Sequence, residues 1–149
     1  MSKVALNAEV SAFCHATEDL EKVKVALMNV LPEKIRAELE DFLSVSMLEG
    51  HYGNPIFVLK VKIEKPELAE ALLKHLLAAL PPGDLLALER TLRHRLDPSG
   101  HLYLRLDKQR AYLGEVRVYD GDDVIRVRVK LSPQARQALQ NNKSLKELL

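Results

Sequence analysis

The chain has one cysteine, Cys14, and no tryptophan, and aromatic residues make up only 5% of it. A single thiol forbids an intramolecular disulfide and leaves any thiolate zinc site short of sulfur, which fits a reducing compartment. The shortage of aromatics removes the interleaved aromatic and basic pattern with which single-strand binders such as RRM domains stack bases. No apolar run approaches the roughly 18 residues that a membrane span requires. The opening residues, Met1 to Asn7, pass straight into alternation without a signal-peptide core. A cytoplasmic protein with no membrane association is therefore expected. HExxH, CxxC, GxGxxG and Walker-type strings are also missing, so no motif asks for a metal or cofactor and none is expected.

What is present is a globular mixture of 47% hydrophobic and 29% charged residues over 149 positions, the size of one domain spanning 1–149. The net charge of +1 conceals an asymmetry. Residues 1–70 hold 8 Lys/Arg against 12 Asp/Glu, whereas residues 71–149 hold 14 against 9. A basic half of this kind points toward a polyanion surface.

Period-two alternation predicts strands over Val4–Ala12, Leu39–Met47, Phe57–Ile63 and Leu102–Leu106. Between them, Thr17 is placed to cap a first helix carrying Leu20, Val23, Leu27 and Val30, which Pro32 ends. Pro66 opens a strongly apolar second helix that Pro81-Pro82-Gly83 stops. Asp84 is placed to cap a third helix reaching Leu96. Residues 107–110 read as a loop, and Ser132-Pro133 starts a weakly amphipathic, peripheral C-terminal helix over about 133–149. The turn Asp120-Gly121-Asp122-Asp123 predicts a hairpin in which Val118 faces Ile125 and Val116 faces Val127. On the other face of that hairpin Tyr119 would meet Val124, Glu115 would meet Arg128 and Arg117 would meet Arg126.

Three strings carry a family resemblance. Val10-Ser11-Ala12-Phe13-Cys14-His15-Ala16-Thr17-Glu18-Asp19, Glu49-Gly50-His51-Tyr52-Gly53-Asn54-Pro55-Ile56 and Leu102-Tyr103-Leu104-Arg105-Leu106-Asp107-Lys108-Gln109, with Ala111-Tyr112 and Gly114-Glu115 close behind, resemble the archaeal RNA-binding family described as exosome-subunit-like. That resemblance implies an α+β fold similar to the ribosomal protein that binds 5S rRNA, an antiparallel sheet with helices packed on one face. It also implies structured RNA as the partner, in RNA processing or ribosome-related work. The segment after Leu131 carries no matching string.

The residues themselves point the same way. Opposed arginines on a hairpin repel unless an anion lies between them, so Arg117 and Arg126 are the first candidates for RNA contact. Arg128 and Lys130 continue that face, and Arg105, Lys108 and Arg110 extend it. Cations two residues apart on a strand are about 7 Å apart, a spacing comparable with that of phosphates on a nucleic-acid strand. His51 and Asn54, in the glycine-rich turn, are candidates for presentation to RNA. Tyr103, Tyr112 and Tyr119 could stack bases, although packing is the commoner role of such residues. Arg90, Arg93, His94 and Arg95 form a second basic cluster whose ordinary reading is a solvated helix side. The balance favours a non-catalytic protein that binds RNA mainly through phosphates. A protein-protein adaptor of an RNA-processing complex, using an apolar helix surface or an open strand edge, is the first rival. A small hydrolase or nuclease is the second, and it would need His15 with Glu18 and Asp19, or His51 with Tyr52, to converge in a cleft.

Overall fold

The structure, a computed structural model, describes residues 4–50 and 52–149. Five strands, β1 (Ala5–Cys14), β2 (Leu43–Glu49), β3 (Pro55–Ile63), β4 (His101–Asp107) and β5 (Val124–Leu131), form one sheet in the order β2-β3-β1-β5-β4. Every pairing is antiparallel. The helices are α1 (Leu20–Asn29), α2 (Glu33–Ala37), α3 (Leu39–Phe42), α4 (Pro66–Ala79), α5 (Pro82–Arg90), α6 (Leu92–Arg95), α7 (Lys108–Tyr112), α8 (Pro133–Gln140) and α9 (Leu145–Leu148).

Alternation divides the sheet into two unlike faces. Val10 and Ala12 of β1, Leu59 and Val61 of β3, Leu102 and Leu104 of β4, and Val127 and Val129 of β5 are all buried on one of them. Across β1 lie α1 and α4, which bury Val23, Ala26 and Leu27 and, in α4, Leu72, Leu73 and Leu76. Burying a leucine side chain stabilises by about 1.5–3 kcal/mol, so this apolar layer fixes which face the helices cover. The remaining strand residues, mostly polar, form the open face. Ala135, Leu139 and Leu145 of α8 and α9 join the same core.

Several local expectations change in the structure. Asp19 rather than Thr17 caps α1, accepting from Glu21 N at 2.9 Å. The alternation that begins at Leu39 is helical at first, because Leu39 is buried in α3, and β2 starts at Leu43. The third helix is broken at Thr91, whose hydroxyl donates to Ala87 O at 2.8 Å, so α5 and α6 are separate. Residues 108–112 are a helical turn rather than a loop, capped by Asp107, which accepts from Arg110 N. The expected caps that form are Pro66 at the head of α4 and Ser132 at the head of α8, the latter accepting from Ala135 N at 3.1 Å.

The largest correction is to the hairpin. β5 pairs with β4, bringing Arg105 opposite Arg126 and Tyr103 opposite Arg128. Residues 117–119 lie along the outer edge of β4 instead, where Asp107 N donates to Arg117 O at 2.9 Å and Tyr119 N to Arg105 O at 3.0 Å. Residues 121–123 bend, but they carry the chain from an edge bridge past β4 to a strand two places away rather than closing a tight hairpin. A pairing with β4 lets Ile125, Val127 and Val129 meet Leu106, Leu104 and Leu102, a more continuous apolar contact than Val116 and Val118 could offer.

This register is testable by cross-linking. Paired antiparallel Cα atoms lie about 4.5–5.5 Å apart, within disulfide reach. Arg105→Cys combined with Arg126→Cys will close a disulfide under mild oxidation, and Arg117→Cys combined with Arg126→Cys will not. Mass spectrometry after thiol blocking reads the result, and the opposite pattern would restore the simple hairpin.

Candidate nucleic-acid interface

The strand registers align the open face into transverse rows. One row runs Ser44, Lys60, Ser11, Arg126, Arg105 from β2 to β4. The next runs Lys62, Glu9, Arg128, Tyr103, and a third runs Asn7, Lys130, His101. Cations therefore occupy five of the nine positions in the first two rows, contributed by β3, β5 and β4, while Glu9 is the carboxylate among them. Neighbouring strands stand about 4.8 Å apart and alternate residues about 7 Å apart, so the face is a lattice of positive charge at close spacing.

Lys60 and Lys62 are exposed and have no carboxylate partner among the described residues. Arg126 lies with its guanidinium carbon 5.3 Å from the Phe13 ring centroid, a cation–π contact that leaves its charge unneutralised. Arg128 reaches Glu9 at 3.2 Å. Arg105 is drawn the other way, bonding Gly121 O and lying 3.7 Å from Asp122. The opposed Arg105 and Arg126 thus relieve their repulsion by parting, one toward an aromatic ring and one toward the turn. The exposed Tyr119 ring lies against Gly121, so a side chain there would displace the ring. Lys130 donates to Ser99 O.

Beside this lattice sits a polar cluster around Asp97. Its Oδ1 accepts from His101 N at 2.8 Å and Ser99 N at 2.9 Å, and its Oδ2 accepts from the Tyr103 hydroxyl at 3.0 Å. His101 Nδ1 approaches Oδ2 at 3.3 Å. The His101 amide bond, with the Tyr103 and Ser99 bonds, outweighs burial and holds the Asp97 carboxyl below the usual carboxylate range. Tyr103 is consequently fixed in orientation while the residue remains 43% exposed.

The other sequence candidates have different surroundings. Arg117 does not meet Arg126. Its Nε donates to Asp84 Oδ2 at 2.9 Å, and the same oxygen accepts from Val118 N at 2.9 Å. Asp84 therefore ties α5 to the edge segment rather than capping a helix. Burial pushes its carboxyl up, but the Arg117 and Val118 bonds hold it below the usual range. Arg110 pairs with Glu115 at 3.2 Å. Asn54 is exposed, its carbonyl accepting from Gly50 N at 2.7 Å, and His51 lies outside the described residues. Tyr112 carries Lys22 Nζ 5.9 Å from its ring centroid. Lys60 and Lys62 were missed as candidates, although the alternation Leu59-Lys60-Val61-Lys62-Ile63 contained the signal.

Lys108 is 3% exposed, and its ammonium donates to Phe13 O at 2.9 Å and contacts Glu18 at 2.8 Å and Asp123 at 2.6 Å. It links the end of β1, the turn before α1 and the turn before β5. His15, Glu18 and Asp123 have ligating atoms within 4.8 Å of one another, but the Lys108 ammonium lies against both carboxylates and supplies the positive charge there.

Fold and surface together define an α+β domain with helices on one face of an antiparallel sheet and cations on the other. The chain belongs to the family described as RNA binding, which matches residues 7–131. It is 39% identical over 137 residues to RNA-binding protein PAB1135 of Pyrococcus abyssi, covering 91% of this chain and 88% of that protein. Uncharacterized protein MJ0213 of Methanocaldococcus jannaschii is 41% identical over 120 residues, 79% of this chain and 78% of that one. Among solved structures, protein AF2318 from Archaeglobus fulgidus superposes with a TM-score of 0.78 at 35% identity, covering 97% of this chain and 99% of that chain.

Lys108→Met will leave Glu18 and Asp123 facing each other without their shared cation. Because both carboxylates stay partly solvated, the loss is smaller than for a fully buried pair, about 1–3 kcal/mol, which urea unfolding will measure. Burial raises the Asp123 carboxyl, but the Lys108 bond and charge outweigh it and hold the group below the usual range. A depressed folded-state value stabilises the protein above the unfolded value near 3.9 and loses that contribution as pH falls below it. Wild-type stability will therefore drop below about pH 4, and in Lys108→Met the part of that drop owed to Asp123 will be absent.

Proposed function

We propose that the protein binds structured RNA without altering it, resting the open face of its sheet on the phosphate backbone. The observation that carries this reading is the row containing Lys60, Arg126 and Arg105, with Lys62, Arg128 and Lys130 beside it on a face no helix covers. A flat cationic lattice suits backbone and 2′-hydroxyl contacts better than readout of base edges in a deep RNA groove. Membership of an RNA-binding family and the printed name of the Pyrococcus abyssi relative support the same partner class. Arg105, Arg126, Arg128 and Lys130 are the sequence candidates assigned direct contact, joined by Lys60 and Lys62. Lys108, Arg110 and Arg117, each held by a carboxylate, shape the turn and edge beside that surface, and Asn54 offers a separate approach between β2 and β3.

The resemblance to exosome-subunit-like archaeal proteins, and in fold to the ribosomal protein of 5S rRNA, suggests an accessory place in RNA processing or ribosome-related work. The cytoplasm is the compartment such work implies, and no described helix is long and apolar enough to cross a membrane. A docking role on a processing complex is a second reading, favoured by β2. That edge strand has no charged residue from Leu43 to Leu48 and exposes Val45, Met47 and Leu48, so it lacks the usual protection against strand addition.

Filter binding of a structured RNA over a range of salt tests the proposal. Each phosphate contact contributes about −0.7 to −0.9 to the slope of log affinity on log salt. Lys60→Gln with Arg126→Gln should flatten the slope by about two contacts and weaken binding while leaving the thermal midpoint nearly unchanged. An unchanged slope would remove this face from the interface, and cleavage products in the recovered RNA would overturn the non-catalytic reading.

A further inference from the structure

We propose that the depression between the Tyr103–Arg128 pair and the Arg105–Arg126 pair is a slot for one unpaired RNA base. This rests on the RNA-binding reading and specifies what that same face recognises. The depression encloses about 370 Å³ on the open sheet, and its rim includes Glu9, Ser11, Tyr103, Arg105, Arg126 and Arg128. Its size lies in the range of sites for small ligands, about 300–1,000 Å³.

The spacing of its walls is set by the sheet. Tyr103 and Arg105 are alternate residues of β4, and Arg128 and Arg126 are the residues paired with them on β5. Alternate residues of an antiparallel strand stand about 6.8 Å apart, twice the roughly 3.4 Å rise between stacked bases. One flat ring inserted edge-on therefore fits between the row of Tyr103 and Arg128 and the row of Arg105 and Arg126. Unstacked RNA bases are held on such surfaces, whereas a paired base is committed to its neighbours and cannot enter.

Each wall is anchored before any ligand arrives. Asp97 accepts from the Tyr103 hydroxyl at 3.0 Å, Glu9 holds Arg128 at 3.2 Å, Gly121 O and Asp122 hold Arg105, and the Phe13 ring carries Arg126. Leu104 and Val127, whose side chains are buried in the core, offer their backbone as the floor. Ser11 and Glu9, the β1 neighbours of Arg126 and Arg128, stand together at the β1 end, where the small serine side chain leaves room. Glu9 places a carboxylate at that same end, a suitable acceptor for an exocyclic base amine. Walls held in place this way lose little side-chain freedom on binding.

The test uses two RNA hairpins of equal length, one fully paired and one with a single bulged adenosine, bound to the full chain at one salt concentration. A third probe carries 2-aminopurine at the bulge. The wild type should bind the bulged hairpin about tenfold tighter than the paired one, since a stacked base is worth about 1–3 kcal/mol, and should change the 2-aminopurine fluorescence. Tyr103→Leu should abolish both the preference and the fluorescence change, Tyr103→Phe should keep most of each, and Lys60→Gln should weaken both hairpins alike. Equal binding of the two hairpins by the wild type, with the salt dependence intact, would overturn the slot and leave the phosphate surface standing. Failure of both hairpins to bind would overturn the RNA-binding reading itself.

Discussion

Pairing of β5 on both of its edges is the constraint from which the surface follows. With β1 on one side and β4 on the other, the register of β5 cannot slip by one residue without burying Arg126, Arg128 and Lys130 in an apolar core. Burying unpaired cations costs far more than any alternative pairing returns. Ile125, Val127, Val129 and Leu131 are therefore locked inward and the three cations outward. The same logic applied to β3 sends Lys60 and Lys62 to the same side. A hydrophobic constraint on one face thus builds an electrostatic surface on the other.

The polar contacts around that surface act mainly on geometry. Lys108 joins three segments: the end of β1, the turn before α1 and the turn before β5. Asp84 joins α5 to the segment along β4, and Asp97 joins the start of β4 to Tyr103. Exposed ion pairs contribute little stability, and their effect here is to settle where side chains point. Arg105 and Arg126 part because each has a nearer favourable contact than the space between them.

Reading the protein as an RNA binder joins these features to its family. A sheet with one helical face and one cationic face offers a broad, shallow surface, which matches the accessible parts of structured RNA. The uncharged edge of β2 lies at the far side of the sheet from Arg105 and Tyr103.

Short-range order was legible from the chain. The alternation in β1, β3, β4 and β5, the proline at the head of α4 and the Ser132-Pro133 cap each depend on neighbours within one element, and each appears where the residues imply. The basic half and most of the cations on the open face could be named in advance for the same reason. Pairing partners could not. The turn at Asp120–Asp123 favours a hairpin locally, yet β5 gains more apolar contact from β4, and that comparison exists only once the chain has collapsed. Hence the opposition of Arg126 to Arg105 rather than Arg117, the enclosure of Lys108 and the inclusion of Lys60 were decided by tertiary structure. Sequence determined which face of each strand is charged, because side chains alternate by covalent geometry; only the fold decided which charges stand together, because register is chosen by the whole buried surface at once.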